Sequence, residues 1–385
     1  MPPTEQAATI TPTATPLAEW IASSGGQQEL ASYRGVLTPP RLDAPERETE
    51  ALIGAAAVHD LGWMRRVSVT GEDRFRWLSG MVTNTVNDLA PGSGAWNLVL
   101  NAQGRIQGDL WVWRDGDQLA LEIAADQYDK LLEHLNRFII MDDVELVPLE
   151  NETVLGLTGP RAGEVLLQAG LPTLSEPLMQ TQTQWNGIAL TIRRSFGVLA
   201  PHYELWAPTS GIEAVWQALL DAGAIAVGAA SLDAFRIAEG IPVYGIDIVE
   251  RDLPQETSQT RALHFSKGCY LGQEIVERIR SRGNVHRHLR HLELAGPVPF
   301  AGTDLFLAVD AVQEGADRKA EGHIRSAAEL PLASGTHTFA LAMMRAEAEV
   351  GDHTFTYTTE EKTGTAVILS ATPVLKMPPA RNSDL

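Results

Sequence analysis

The feature that most narrows the fold is a run of closely spaced strands that ends in a helix. Two strand-like runs, Ala95 to Asn101 and Arg105 to Arg114, lie on either side of the turn Ala102-Gln103-Gly104, which is the pattern of a β-hairpin. A second turn, Asp115-Gly116-Asp117, leads to a strand over Gln118 to Ala124, a helix over Gln127 to Phe138 and a strand over Val144 to Val147. Upstream, helical spacing over Arg47 to Leu61 precedes a strand over Met64 to Val69 and a helix over Glu72 to Thr83. Downstream the alternation predicts a strand Val154 to Leu157, a helix Arg161 to Ala169, strands Ile188 to Arg193 and Tyr203 to Ala207, and an amphipathic helix Ile212 to Ala222. Such a chain is expected to fold as α+β, with helices laid on a sheet. No sequence repeat is visible in it.

Beyond Arg290 only short alternating runs remain, near 291–294, 305–309, 323–326, 338–344, 353–357 and 366–369, and they predict a small β-barrel over 289–378. Residues 1–28, rich in Pro, Thr and Ala at the start, read as a disordered tail, and 379–385 as another. The region 29–288 between them is expected to hold two subdomains. A net charge of −19 opposes direct binding to nucleic acid or an anionic membrane. One cysteine permits no internal disulfide, zinc–cysteine site or iron–sulfur cluster of the chain's own. The absence of a long apolar run and of early basic residues points to a cytoplasmic protein without a membrane span. His286, His288 and His291 have a spacing that suits a basic strand face better than a metal site, so no metal centre is expected.

Charge gathers in one place. Arg261 to Arg290 holds seven basic residues against two acidic ones, together with Cys269. Leu271, Ile275 and Ile279 make a helical stripe, Glu274 and Arg278 a stabilising pair, and Gly283 a helix end. Gly268 and Gly272 point to unusual backbone angles or to the close approach of a ligand or backbone. Lys267 and the helix start near Cys269 describe a setting that favours a reactive thiol.

The run Lys267-Gly268-Cys269-Tyr270-Leu271-Gly272-Gln273-Glu274, with Val276 and Arg278, resembles the signature of the YgfZ-type folate-binding proteins, relatives of the glycine-cleavage T protein, an aminomethyltransferase. Arg236, Glu239-Gly240, Pro242, Gly245, Asp247 and Leu253-Pro254-Gln255-Glu256 resemble the block before that signature. Val69 to Asp73, Thr83-Asn84, Asn101, Gly104-Arg105, Phe138 to Val144 and Gly159-Pro160 extend the likeness upstream. The resemblance implies a T-protein-like fold of α/β subdomains around a central channel that encloses tetrahydrofolate or a one-carbon derivative.

Residue by residue, it implies that Asp109 faces the reactive part of the pterin, where a carboxylate assists proton movement. Glu204 is implied to bind the pterin's adjacent donors, Lys267 and Arg278 to help hold the cofactor, and Cys269 to be the reactive group. It further implies support for iron–sulfur cluster assembly or repair, with client enzymes (tRNA-modifying ones included) or cluster carriers as partners. Two alternatives stay open: a folate-dependent aminomethyltransferase, and a folate-binding scaffold without chemistry. Gly108-Asp109 in place of the usual Asp-Asp, and Leu232 where an arginine is expected, point away from full aminomethyltransferase activity.

Overall fold

The computed structural model describes residues 11–25, 28–283, 285–308, 319–332, 335–360 and 362–375. Helix α1 (Pro16–Gly25), strands β1 (Ala31–Tyr33) and β2 (Val36–Thr38), helix α2 (Pro45–Gly54) and strand β3 (Ala57–Asp60) open the chain. Then come β4 (Met64–Thr70), α3 (Arg74–Met81), β5 (Ser93–Leu100), β6 (Ile106–Asp115), β7 (Gln118–Ala124), α4 (Tyr128–Asn136) and β8 (Glu145–Pro148). The next stretch repeats that order: β9 (Glu152–Thr158), α5 (Ala162–Gln168), β10 (Met179–Trp185), β11 (Ile188–Ser195), β12 (His202–Pro208), α6 (Ile212–Asp221) and β13 (Ile225–Val227). Helices α7 (Ala229–Ala238) and α8 (Gln273–Arg282) precede β14 (Arg287–Ala295), β15 (Asp304–Leu307), β16 (Gly322–Leu332), β17 (Gly335–Arg345), β18 (Thr354–Thr358) and β19 (Thr363–Ile368).

One eleven-stranded sheet runs β13-β3-β9-β12-β11-β10-β5-β6-β7-β4-β8, and the six C-terminal strands close the expected barrel. The large sheet consists of two halves with matching strand orders, β10-β11-β12-β9 and β5-β6-β7-β4, joined where Met179 pairs with Ser93. The repeat absent from the sequence is therefore present in the topology. Each half buries one face under its own helices. Leu155, Leu157, Leu205 and Ile192 pack with α5 and α6, while Leu110, Val112, Leu119 and Leu121 pack with α3 and α4.

The barrel is fastened to this body by ion pairs. Asp252, fully buried, accepts hydrogen bonds from Arg287 Nη2 (3.0 Å) on β14 and Arg325 Nη2 (3.2 Å) on β16. Buried Asp247 likewise joins Arg236 on α7 to Ser326 on β16.

Several expectations are corrected. The tail predicted to reach residue 28 is broken by α1, whose Leu17 and Ala18 are fully buried; residues 1–10 and the tail at 379–385 lie outside the described residues. The helix read over Arg47 to Leu61 ends at Gly54, and its last part is β3, buried on both faces, where a strand loses the alternation that identifies it. Strand β10, Met-Gln-Thr-Gln-Thr-Gln-Trp, was not predicted because it offers no apolar alternation. Helix α7 and strands β1, β2 and β13 were not predicted either.

Candidate functional site

The helix-free faces of the two halves meet. Arg193 of β11 crosses to form a fully buried ion pair with Glu122 of β7, and its guanidinium lies 4.4 Å from the centroid of the Trp113 ring. Beside this contact opens a cavity of about 180 Å³, lined by Trp96, Asp109, Trp111, Glu122, Phe196 and Arg261 among others. Alternation on β6 explains the arrangement: Leu110 and Val112 enter the helix-covered core, which turns Asp109, Trp111 and Trp113 to the opposite face.

Asp109 is fixed from two sides. Its Oδ2 accepts from Trp96 Nε1 at 3.0 Å and its Oδ1 from Gln127 Nε2 at 2.6 Å, while Gln127 Oε1 accepts from the Asp109 backbone N–H at 3.0 Å. An ionised carboxylate accepts about four hydrogen bonds, so capacity remains on the cavity side. Sequence reasoning missed Gln127, which it placed only as the first residue of a helix.

Arg261 was also missed as a site residue, being read only as part of a basic segment. Its guanidinium carbon lies 4.5 Å from the Trp96 ring centroid and 4.0 Å from that of Phe196. Its Nε donates to Gln259 Oε1 at 3.2 Å, and no carboxylate among the described residues lies within ion-pair distance of it. Burial lowers its pKa to about 10, against the pull of Asp109 and Glu239. A second cavity of about 170 Å³, reaching Gly240, Ser258 and Thr260, shares Phe196, Ile241 and Arg261 with the first.

Glu204 is not on the wall of the Asp109 cavity. It lies in the cross-strand row Arg193, Glu204, Gly156, His59, with Ser195 Oγ donating to its Oε1 and its Oε2 buried without a hydrogen-bond partner among the described residues. Gly156 in that row is required by space, since a Cβ there would lie 1.8 Å from the His59 ring.

From His59 of that row a buried polar chain passes into the adjacent one through Thr158 Oγ1 (2.9 Å) and His202 Nδ1 (3.0 Å), and on from His202 Nε2 to Glu239 (3.0 Å). Glu239 Oε1 accepts the backbone N–H groups of Val198 and Leu199, both at 2.8 Å, and so anchors the turn that carries Phe196. Burial opposes the His202 imidazolium, but the Glu239 carboxylate outweighs it and raises the pKa; Glu239 is correspondingly lowered despite burial.

The signature residues lie apart from this cavity wall. The Lys267 ammonium donates to the carbonyls of Val82 and Asn84, each at 2.6 Å, and burial lowers its pKa to about 7. Asn84 Nδ2 donates to the Arg261 carbonyl at 2.8 Å, so Lys267 supports the segment behind the cavity. Cys269 is exposed, three residues before the α8 N-cap Gly272, and thus farther from the helix start than the stripe suggested. Gly272 has φ +81°, and a Cβ there would meet the Asn101 carbonyl oxygen at 2.5 Å. A neighbouring backbone is thus one close approach at that glycine. Arg278 pairs with Glu274 at 2.9 Å on an exposed face of α8 and has no part in the cavity wall.

A family model described as the GCVT N-terminal domain matches residues 20–267. A putative chloroplastic transferase of Arabidopsis thaliana is 26% identical over 286 residues, 72% of this chain, which spans 64% of that protein's length. An aminomethyltransferase of Exiguobacterium sibiricum is 26% identical over 287 residues, covering 73% of this chain and 78% of that one. One of Rubrobacter xylanophilus is 28% identical, covering 73% and 76%. In structure, the glycine cleavage system aminomethyltransferase T of Bartonella henselae matches with a TM-score of 0.81 at 22% identity, covering 93% of this chain and 96% of that one. The T-protein-like fold expected from the sequence is thus the fold observed. No helix among the described residues is long and apolar enough to cross a membrane.

Proposed function

The chain belongs to the GCVT N-terminal domain family, and from that premise we propose that it binds tetrahydrofolate, or a one-carbon derivative, between the two halves of its sheet. The observation that carries this reading is Asp109, a carboxylate oriented by Trp96 and Gln127 and presented to a cavity walled by aromatic rings. Ligand sites of this kind are mostly apolar, with a few placed polar groups. Bound there, the folate supplies a carrier for a one-carbon unit. Asp109 orients the reactive edge and holds or accepts a proton at Oδ1 or Oδ2. In this reading Glu204, which lies off the wall of the Asp109 cavity and whose Oε2 has no hydrogen-bond partner among the described residues, is the second carboxylate that accepts from the pterin. Isothermal calorimetry with tetrahydrofolate tests the reading: saturable binding that weakens in Asp109→Asn supports it, and no heat of binding overturns it.

On the YgfZ-like signature we further propose that the protein acts in the cytoplasm to support iron–sulfur cluster assembly or repair in client enzymes, tRNA-modifying ones included, through direct contact with those clients or with cluster carriers. Cys269 is its reactive group in this reading, and its exposure suits an encounter with a partner. Lys267 holds the segment that presents it. Cys269→Ser is expected to fold normally yet fail to restore cluster-enzyme activity in a deficient cell; full restoration would remove the cysteine from the function.

A second reading, folate-dependent aminomethyl transfer, is favoured by the relatives named aminomethyltransferase. Release of ammonia from an aminomethylated lipoyl carrier, dependent on tetrahydrofolate, would establish it over the first.

A further inference from the structure

Two cavities meet at Arg261, and neither is large enough alone. At about 180 and 170 Å³, each falls below the ~300 to 1,000 Å³ of sites that enclose a small organic ligand. What they share is Phe196, Ile241 and Arg261. Of these, Ile241 belongs to a backbone turn, and Phe196 rides on a turn anchored by Glu239. The Arg261 side chain is the loosely held member. It rests on two aromatic faces, makes one long hydrogen bond at 3.2 Å and has no carboxylate in ion-pair range among the described residues.

A guanidinium parked between rings occupies a flat slot, the same space that a planar ring would fill. Its own backbone is fixed from behind: Asn84 Nδ2 donates to the carbonyls of Arg261 and Trp96, and Thr83 Oγ1 donates to the carbonyl of Ala262. Any motion is therefore confined to the side chain.

We propose that Arg261 is a gate, an internal stand-in for the ligand, whose side chain leaves the slot between Trp96 and Phe196 and joins the two cavities into one site of ligand size. The inference rests on the folate reading for the identity of the ligand, but not for the motion. A planar ring then stacks on Trp96, and the released guanidinium, on a long flexible stem, reaches the ligand's anionic end or solvent. Affinity is reduced by the fraction of molecules in which the gate is closed.

Two measurements on the full chain test this. In the ligand-free protein, ¹⁵Nε relaxation dispersion of Arg261 is expected to report exchange on the microsecond-to-millisecond scale, its resonance identified by its loss in Arg261→Lys. A flat profile at several fields overturns the gate. In stopped-flow mixing with tetrahydrofolate, the observed rate for the natural chain is expected to level off as ligand rises, whereas Arg261→Met, with no cation to displace, gives a rate that keeps rising and is on the order of tenfold faster at high ligand. Equal kinetics overturn the gate while leaving folate binding intact. Absence of binding to either chain overturns the folate reading, and the dispersion profile then decides the gate on its own. If Arg261→Met does not fold, Arg261→Lys, which stacks less well on the two rings, is expected to shift the rate in the same direction.

Discussion

The two halves of the large sheet use one scaffold for different ends. In the first, the cross-strand row reads Trp96, Trp111, Glu122, Arg66; in the second, the corresponding row reads Gln180, Arg193, Glu204, Gly156. Glu122 and Glu204 thus occupy equivalent positions, each eleven residues after its partner on the preceding strand. Glu122 is consumed by Arg193, the cation of the opposite half, whereas Glu204 accepts from Ser195 and, among the described residues, leaves one oxygen without a hydrogen-bond partner. Equivalent carboxylates have become a fastener and a free acceptor. Register supplies a position, and the residue facing it from the other half decides its use.

The comparison is most severely tested by removing the fastener. Glu122→Ala leaves the fully buried Arg193 uncompensated, which typically costs about 3 to 5 kcal/mol, and urea denaturation should read a loss of that size. Glu204→Ala removes no buried ion pair and should leave the urea midpoint far less affected. A loss as large as that of Glu122→Ala would show that the two carboxylates are not divided in this way.

The same Glu204→Ala variant should weaken tetrahydrofolate binding by about 1.5 to 3 kcal/mol, roughly tenfold or more, the usual worth of charge-assisted hydrogen bonds. Calorimetry that finds unchanged affinity would leave Glu204 without a role at the ligand. Next in size is Gly156→Ala. Its Cβ would collide with the His59 ring, and overpacking of this kind costs typically about 1 to 3 kcal/mol, measurable as a lowered melting temperature.

The smallest effect is one of pH, and it concerns the second half alone. His202, raised above its ordinary value of 6.5, contributes stability that is complete below that value and is lost as pH rises through the raised pKa. Glu239, lowered from 4.5, contributes above that value and loses its share as pH falls through the depressed one. Glu204 also faces His202, Thr158 shares its proton network, and Phe235 lies against its ring at 6.0 Å between centroids. The stability difference between the natural chain and Glu239→Gln should therefore be greatest near about pH 6 and shrink at alkaline pH. His59, kept neutral down to about 3 by burial, acts the other way: stability falls as pH drops from 6.5 toward 3. Burial, the larger cause, is common to both chains and cancels in the difference, while the smaller part contributed by the His202 charge does not. A difference that is flat with pH would mean that Glu239 acts only through the backbone of Val198 and Leu199.

What the sequence disclosed follows from these geometries. The meander around Asp109 was readable because its strands are short apolar-rich runs and its turns carry Gly. The second half was harder, since β10 is polar between its terminal Met179 and Trp185 and β3 is buried on both sides. Within the site, Asp109 and Glu204 were reached through family resemblance, because an aspartate on a strand carries no local mark of its partners. Arg261, Gln127 and Phe196 come to the cavity from three distant segments, and nothing in their spacing announces the meeting. Lys267 and Cys269 stand out as a motif, yet the fold sends their side chains to different tasks.

The carboxylate of Asp252 has a consequence for the order in which the molecule is made. Its two cations arrive 35 and 73 residues later, on the first and third strands of the barrel. A chain emerging from the ribosome carries the acid long before it carries the bases, and cannot bury it at low cost until both have been synthesised. The final quarter of the polypeptide is thus a condition for completing the interior of what precedes it, and a chain cut short between Arg287 and Arg325 keeps one counterion of the two.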